Sequence, residues 1–488
     1  MTKEKLLADS DIDQRTQPDP ELRVARSATT RGSKAPAASR SHRPDGAGLA
    51  VNTAKTGTPM KRIALACLVG TAIESYDFII YATAAALVFP AVYFPQLSPA
   101  FATIASMGTY VTAFLSRPLG AVVFGHFGDR LGRKRTLVAT LLIMALSTVG
   151  VGLVPTTATI GVAAPLILIV LRLLQGFAIG GEWAGSALLA AEYAPAGKRG
   201  LCGMFTPLGS GVAAVLAGLT FLIVNYTIGE DNPAFLQWGW RIPFLISAVL
   251  IGVGLYVRLN INETPLFVEE KARNLAPKAP VAEVLRLQRR EVVLAAGCFL
   301  GAFTLSFMGG SYLATYAHTS LGYSRALMLS VGVLTGLGQM TATVLSASLC
   351  DRAGRRRIVL VGLAGCLAWS FVVIPFMDTG KPLFYAVAML GLQVVAAIAL
   401  APTATFIPEL FATRYRYSGS ALATNIASIA GGVAPPLIAG TLQATCGGWA
   451  VGVMLAAIAL VSLACTYLLP ETKGSALRSA RDDVSVAP

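Results

Sequence analysis

Residues 125–135 read GHFGDRLGRKR, and residues 350–357 read CDRAGRRR. Asp129 matches Asp351, Arg130 matches Arg352, and Gly132 matches Gly354; Arg133, Lys134 and Arg135 match Arg355, Arg356 and Arg357. The second copy lacks the leading glycine, where Ala347 stands. Each copy sits between two long apolar segments. Two further echoes keep the same order along the chain. Glu192 precedes Arg199 by seven residues, as Glu409 precedes Arg416, and Glu263-Thr264 and Glu471-Thr472 each follow the last apolar segment of a half. The offsets are 222, 217 and 208 residues. Three motifs in one order at similar spacing mark an internal duplication.

The 488 residues are 55% hydrophobic and 13% charged, with mean hydropathy +0.64. That is too apolar for a soluble domain. Long apolar runs broken by short polar loops make a polytopic membrane protein. A bilayer core needs about 20 apolar residues of helix. The segments that supply it are 62–90, 104–126, 135–154, 162–190, 201–225, 240–260, 291–318, 327–349, 357–377, 383–406, 418–442 and 449–469. The expected fold is an all-α polytopic membrane protein: twelve transmembrane helices in two six-helix bundles, 61–260 and 291–470. A cytoplasmic linker, 261–290, joins them, and a cytoplasmic C-terminal tail, 471–488, follows. Residues 1–60 have no apolar signal region. They are rich in Ser, Thr, Ala, Pro, Arg and Asp, and read as a disordered cytoplasmic tail. Met60-Lys61-Arg62 directly precedes the first apolar segment, so Met60 competes with Met1 as the start.

The formal charge of +14 does not point to nucleic acid, because the basic excess falls in loops on one side. Arg130 to Arg135, Lys198 and Arg199, Lys271 to Arg290, Arg352 to Arg357, and Arg414 and Arg416 follow even-numbered segments. The other loops hold only Arg241, Arg325 and Lys381. Positive charge marks the cytoplasmic face, which places both termini inside, in a plasma (inner) membrane. The seven cysteines form no CxxC pair, and His42, His126 and His318 are scattered. Neither a disulfide framework nor a metal site is expected, and no cofactor. Two related bundles in one chain fit a transporter whose substrate site lies where the halves meet.

A buried ionisable side chain raises the cost of insertion by roughly 2.5–3.5 kcal/mol, so each one needs a reason. Glu74 and Asp77 are three apart on one helix and share a face. At about 1.5 Å per residue from Arg62 they lie about 18 and 22 Å deep. Arg117, twelve residues before Asp129, is about 18 Å from the same surface, and Arg172 lies at a depth close to that of Asp77. One bundle thus holds two carboxylates and two guanidiniums at similar depth. A carboxylate there can change protonation as access alternates, while Arg117 or Arg172 clamps a substrate carboxylate with a bidentate fork. The alternative is a static buried ion pair that fixes helix register. Glu182 follows Gly180-Gly181 nearer the cytoplasmic end, and is expected to pair with Arg117 or to join a cytoplasmic gate. Gly176, Gly180, Gly181 and Gly185 permit close helix approach.

From residue 60 to about 475 the chain resembles the major facilitator superfamily, and within it the metabolite:proton symporters. The residues that carry the likeness are Glu74-Ser75-Tyr76-Asp77-Phe78, Arg117-Pro118 with GHFGDRLGRK, RLLQGFAIGGEWAGSALLAAEYAP at 172–195, and WGWRIPF at 238–244. The resemblance implies proton-coupled import of shikimate, 2-oxoglutarate, citrate, or proline and betaine. The coupling ion is then the proton and the substrate a small carboxylate or zwitterion, carried by a monomer in the bilayer. Ser75, where the family usually has an aromatic, and Thr206-Pro207 depart from its pattern at positions expected to face the cavity. The resemblance also gives the repeated loop a gating role. Asp129, Arg130, Arg133, Glu192 and Arg199, with Asp351, Arg352, Arg355, Glu409 and Arg416, would form ion pairs that hold the inside closed. In the second half the polar candidates are Tyr312, Tyr316, Gln339, Gln393 and Asn425. Rival readings are a proton-driven efflux antiporter and a non-transporting nutrient sensor. The span-5 stretch GMFTPLGSGVAAVLAG matches antiporters poorly, and no output domain is recognisable. An enzyme is not expected: HExxH, GxSxG and nucleotide-loop motifs are missing from the sequence.

Overall fold

The computed structural model describes residues 60–195, 197–229, 232–260, 280–412 and 415–474, all within the compact unit Ala54–Pro488. The expected N-terminal tail to residue 59, most of the linker with Glu263, Arg414, and residues 475–488 lie outside the described residues. Among the described residues the regular structure is helical, without strands.

Twelve long helices account for the apolar segments. They are α1 (Met60–Leu87), α2 (Pro99–Leu131), α3 (Arg133–Leu153), α4 (Ala163–Tyr193), α5 (Phe205–Ile228), α6 (Ile242–Leu259), α7 (Arg289–Gly310), α8 (Arg325–Ala353), α9 (Arg355–Ser370), α10 (Pro382–Leu400), α11 (Arg416–Gly432) and α12 (Gly448–Leu468). Short helices continue α7 (Tyr312–Thr319), α9 (Val373–Asp378), α10 (Thr403–Leu410) and α11 (Ala434–Cys446), and Arg199–Gly203 leads into α5. Ten candidate spans pass on length and hydropathy. The two that do not are α2, which carries Arg117, Asp129 and Arg130, and α9, which is interrupted after Ser370.

The duplication is visible in the packing. In the first half α1 lies against α4, α5 and α6, α4 against α2 and α3, and α3 against α6. The second half repeats this set: α7 against α10, α11 and α12, α10 against α8 and α9, and α9 against α12. The bundles meet along α5–α8 and α2–α11, which are themselves related by the repeat. A matching pair of contacts closes each half. Lys134 donates to the Leu259 carbonyl at 2.8 Å, and Arg356 to the Tyr467 carbonyl; Leu259 and Tyr467 are again 208 residues apart.

The basic motif is tighter than a loop. α2 runs on to Leu131 and α8 to Ala353, so Asp129 and Asp351 occupy last helical turns. A single glycine, Gly132 (φ 111°) or Gly354 (φ 105°), then turns the chain into the next helix. A Cβ is strained at such φ, which is why both copies of the motif hold Gly there.

Small residues set the α2–α4 crossing. A Cβ on Gly176 would sit 1.9 Å from the Ala113 carbonyl oxygen, and one on Gly180 2.3 Å from that of Arg117. Backbone cannot yield as a side chain can, so this interface admits hydrogen only. Gly176→Val is expected to lower the melting temperature of the purified protein by several degrees or to abolish its accumulation. Gly108→Ala, on the same α2 with nothing within 4 Å, should behave as wild type.

Arg241 reads as a loop cation in the sequence but is 7% exposed. Its Nη1 donates to the carbonyls of Gly152 at 2.7 Å and Val154 at 2.8 Å. A guanidinium at the C-terminus of α3 satisfies carbonyls that the helix leaves free. Trp240 beside it is fully buried against Phe89, Tyr93 and Phe244.

Candidate functional site

Asp77 faces into the first bundle, 1% exposed. Two hydroxyls hold it: Thr148 of α3 donates to Oδ2 and Ser247 of α6 to Oδ1, both at 2.7 Å. Gln175 of α4 donates through Nε2 to the Thr148 hydroxyl at 2.7 Å, and its Oε1 accepts from Arg172 Nη1 at 2.9 Å. The carboxylate and guanidinium expected at one depth are thus joined through Gln175 and Thr148, not by a direct ion pair. A hydroxyl both donates and accepts, so rotation of Thr148 or Ser247 lets the cradle hold Asp77 with or without a proton.

Arg172 is fully buried. Its guanidinium carbon lies 4.2 Å from the Tyr81 ring centre, 4.8 Å from that of Phe78 and 5.1 Å from that of Tyr110. Arg117 stacks on Phe114 at 4.4 Å and on the same Phe78 at 5.0 Å. Desolvated cation–π contacts are worth about 2 kcal/mol each, which explains how two guanidiniums stay buried without a carboxylate on either. Nε and Nη2 of Arg172 and Nε of Arg117 have no protein acceptor. Phe307 of the second bundle touches Phe78 and Phe114, with centroids 6.0 and 5.5 Å apart, so this aromatic cluster lies on the boundary between the halves.

Glu74 is half-buried, one turn from Asp77 but differently served. Its Oε2 has no hydrogen-bond partner, while Glu182, Arg117, Arg258 and Asp77 act on it electrostatically. Glu182 does not pair with Arg117. It forms a buried ion pair with Arg258 of α6, accepts from Thr140 at 2.7 Å, and leaves Arg258 to donate also to the Leu137 carbonyl at 2.6 Å. These partners all belong to the first bundle, so the pair does not bridge the halves. Thr206 is fully buried rather than facing a cavity, and Ser75 is 3.0 Å from Ser210 of α5.

At the motif-bearing end the halves are laced by exchange. Asp129 Oδ2 accepts the Ser418 N–H at 3.1 Å and its hydroxyl at 2.8 Å. Asp351 accepts the N–H groups of Gly200 and Leu201 through its two oxygens, both at 3.0 Å. Each motif aspartate therefore caps the first turn of a helix in the opposite half, where unpaired N–H groups and the helix dipole favour an anion. Leu201 and Ser418 are 217 residues apart, the offset of Glu192 from Glu409. Arg355 pairs with Asp351 at 3.2 Å and with Glu409 at 3.5 Å, and Arg199 reaches Glu409 at 4.0 Å. Arg416 Nε donates to the Phe411 carbonyl, and Glu192 is half-buried at the end of α4. Arg130 lies 3.1 Å from His126, and Arg352 is exposed; neither joins this network. The side chain of Arg133 lies outside the described residues.

A model of the major facilitator superfamily matches residues 77–435. The chain belongs to that superfamily. This transporter is 41% identical to the "Inner membrane metabolite transport protein YhjE" of Escherichia coli (strain K12), over 85% of its length and 95% of that protein's. It is 36% identical to the "Shikimate transporter" of the same strain, covering 89% and 98%. To a "Proline/betaine transporter" of Salmonella typhimurium it is 30% identical, covering 86% and 85%. Among solved structures, the xylose symporter XylE bound to 6-bromo-6-deoxy-D-glucose superposes with TM-score 0.70 at 20% identity, covering 87% of this chain and 98% of XylE. That likeness fixes the two-bundle fold. The protein is a multi-pass membrane transporter and not an enzyme.

In the transporter's second half, Asn425 crosses the boundary and donates to the Gly180 carbonyl at 2.8 Å, beside Tyr417, which donates to that of Gly181 at 2.6 Å. Gln393 reaches the Ser306 carbonyl at 3.4 Å, and Gln339 is half-buried on α8. Tyr312 and Tyr316 stack, centroids 6.2 Å apart. Tyr312 bonds to Gln443, and Tyr316 donates to Asp378 at 2.7 Å, so this pair is engaged within its own bundle. Sequence reasoning passed over Thr148, Gln175, Ser247, Arg258 and Tyr417. Gln175 stood inside the quoted RLLQG motif and was its best available signal.

Proposed function

We propose that this transporter is a proton-coupled symporter of the inner membrane, importing a small organic acid or zwitterion by alternating access. The observation that carries the reading is the Asp77–Thr148–Gln175–Arg172 chain, which couples a buried carboxylate to guanidinium donors that lack protein acceptors beside the boundary of the halves. Asp77 takes the proton. Arg117, which makes no hydrogen bond or ion pair among the described residues, receives a substrate carboxylate, and Glu74 is placed to attract a cationic group. Relatives named for shikimate and for proline and betaine support a carboxylate-bearing substrate. The excess of Arg and Lys at the motif-bearing end supports its being cytoplasmic. The deciding experiment is uptake of labelled shikimate, 2-oxoglutarate, citrate, proline and betaine into proteoliposomes, with and without an inward proton gradient. Accumulation of one compound only with the gradient supports symport. Equilibration without it overturns the coupling, and gradient-driven export points to an antiporter.

The exchanged caps on Asp129 and Asp351 are the closed gate of this cycle. Charge-assisted hydrogen bonds contribute about 1.5–3 kcal/mol each, so Asp351→Ala should raise the population open at this end at least about tenfold. Cys350 is fully buried and Cys202 8% exposed there. Their maleimide labelling, in a Cys446→Ser background, should accelerate by the same factor. An unchanged labelling rate would show that these caps do not hold the end shut.

A further inference from the structure

The second copy of the basic motif builds a surface cleft of about 530 Å³ away from the boundary between the halves. Arg352, Arg356, Arg357 and Lys473 line it, with Glu471 and Leu360. Its one carboxylate is engaged through a single oxygen, and four cations against it leave the cleft net positive: Glu471 Oε1 accepts the backbone N–H groups of Arg355 at 2.9 Å, Thr472 at 3.1 Å and Lys473 at 3.1 Å. None of the four cations has a carboxylate at ion-pair distance among the described residues. Lys473 Nζ donates to the Arg352 carbonyl at 2.6 Å and Arg356 to that of Tyr467, contacts that place the charges without neutralising them. Arg356 Nε is buried without an acceptor.

Concentrated uncompensated guanidinium charge calls for an anion with several acceptor oxygens, and a phosphate group answers that geometry. The surroundings identify its carrier. Arg356 stacks on Tyr467 at 4.9 Å. Tyr467 and Leu468 beside it in the chain are 68% and 57% exposed, and Val361, which follows the cleft-lining Leu360, is 63% exposed. On a membrane protein such a surface faces acyl chains, and tyrosine marks the headgroup level. We propose that this cleft binds the phosphate of an anionic phospholipid headgroup. The bound headgroup braces the Arg352–Arg357 turn, in which Arg355 pairs with Asp351, the residue that accepts from the first turn leading into α5. The site stands independently of the substrate and of proton coupling.

The test is native mass spectrometry of the full-length protein in neutral detergent, titrated with phosphatidylglycerol, phosphatidylcholine or inorganic phosphate. Each basic residue near a membrane surface contributes about fivefold in affinity. Arg352→Gln/Arg357→Gln should bind phosphatidylglycerol about 25-fold more weakly than wild type, and Lys473→Gln about fivefold. Arg286→Gln/Arg290→Gln, which removes the same charge from exposed positions elsewhere, should bind as wild type. Equal weakening in that control overturns the proposal, as does phosphatidylcholine binding as tightly as phosphatidylglycerol. Displacement of phosphatidylglycerol by inorganic phosphate of equal affinity assigns the cleft to a soluble anion and overturns the lipid. A melting curve unchanged from wild type establishes that each variant is folded; Lys473→Gln alone decides the matter if the double variant is not.

Discussion

Asp77→Asn should abolish gradient-driven accumulation while leaving the fold intact. With the membrane potential clamped, an inward gradient of two pH units drives one-proton symport to an accumulation of about 100-fold; the variant should stop at equilibration, near onefold. The replacement keeps the shape of the side chain, and the amide can still accept from Ser247 and donate to the Thr148 hydroxyl, because both partners are hydroxyls. Substrate counterflow, which needs no net proton movement, should persist at a rate within a few-fold of wild type. Retained accumulation in the variant would move the proton to another group, with Glu74 the next to change. Loss of counterflow together with uptake would show instead that Asp77 is needed to assemble the bundle.

The Glu182–Arg258 pair should have the largest effect on stability. Both side chains are almost wholly buried, and Arg258 is so placed that a Cβ on Gly70 would lie 2.1 Å from its Nη2. Removing one member leaves the other charge buried with only neutral hydrogen-bond partners, a loss of about 3–5 kcal/mol. Glu182→Gln is therefore expected to melt many degrees below wild type even though Thr140 and the Leu137 carbonyl remain. Glu182→Leu/Arg258→Met, which removes both charges at similar volume, should recover most of the loss, because desolvation of the pair offsets much of its attraction. Thermal melting of the two singles and the double measures the coupling. Additive losses would mean that each side chain is held by its other contacts and not by its partner.

How much of the site could be read in advance depended on whether the information was linear. Asp77, Arg117 and Arg172 are legible in the sequence because position along a helix follows from counting residues, and an ion at depth is costly whatever surrounds it. Their partners were not legible. Thr148 and Ser247 are hydroxyls in apolar helices, where most such groups bond to their own backbone, as Thr148 also does to Met144. Arg258 lies in the last turn of α6, where a cation by itself signals nothing about a buried partner. Of the two readings for Glu182, a pair with Arg117 or a place in the gate, the first is replaced by the pair with Arg258 for the same reason. Glu182 and Arg117 lie on neighbouring helices at compatible depths, but the Gly180 contact brings the Arg117 backbone, not its guanidinium, against α4.

The motif-bearing end shows the same division. The repeat pairs Asp129 with Asp351, and each of the two caps the first turn of a helix in the opposite half. What the repeat did not contain was the identity of the caps' donors, which are backbone N–H groups and a serine hydroxyl; Arg355 adds ion pairs to Asp351 and Glu409. Arg352, named for the gate in the sequence, lines the cleft with Arg356, Arg357 and Lys473.

The sequence by itself determined the number of helices, their grouping into two related halves and the place of each charge along its helix. Hydropathy, repetition and rise per residue are properties of the chain taken in order. The tertiary structure decided which way each side chain points and what it meets: Asp77 into its hydroxyl cradle, Glu182 onto Arg258, and each motif aspartate onto a helix of the other half. Helix rotation is set by close packing against neighbours far away in sequence, and no local pattern encodes it.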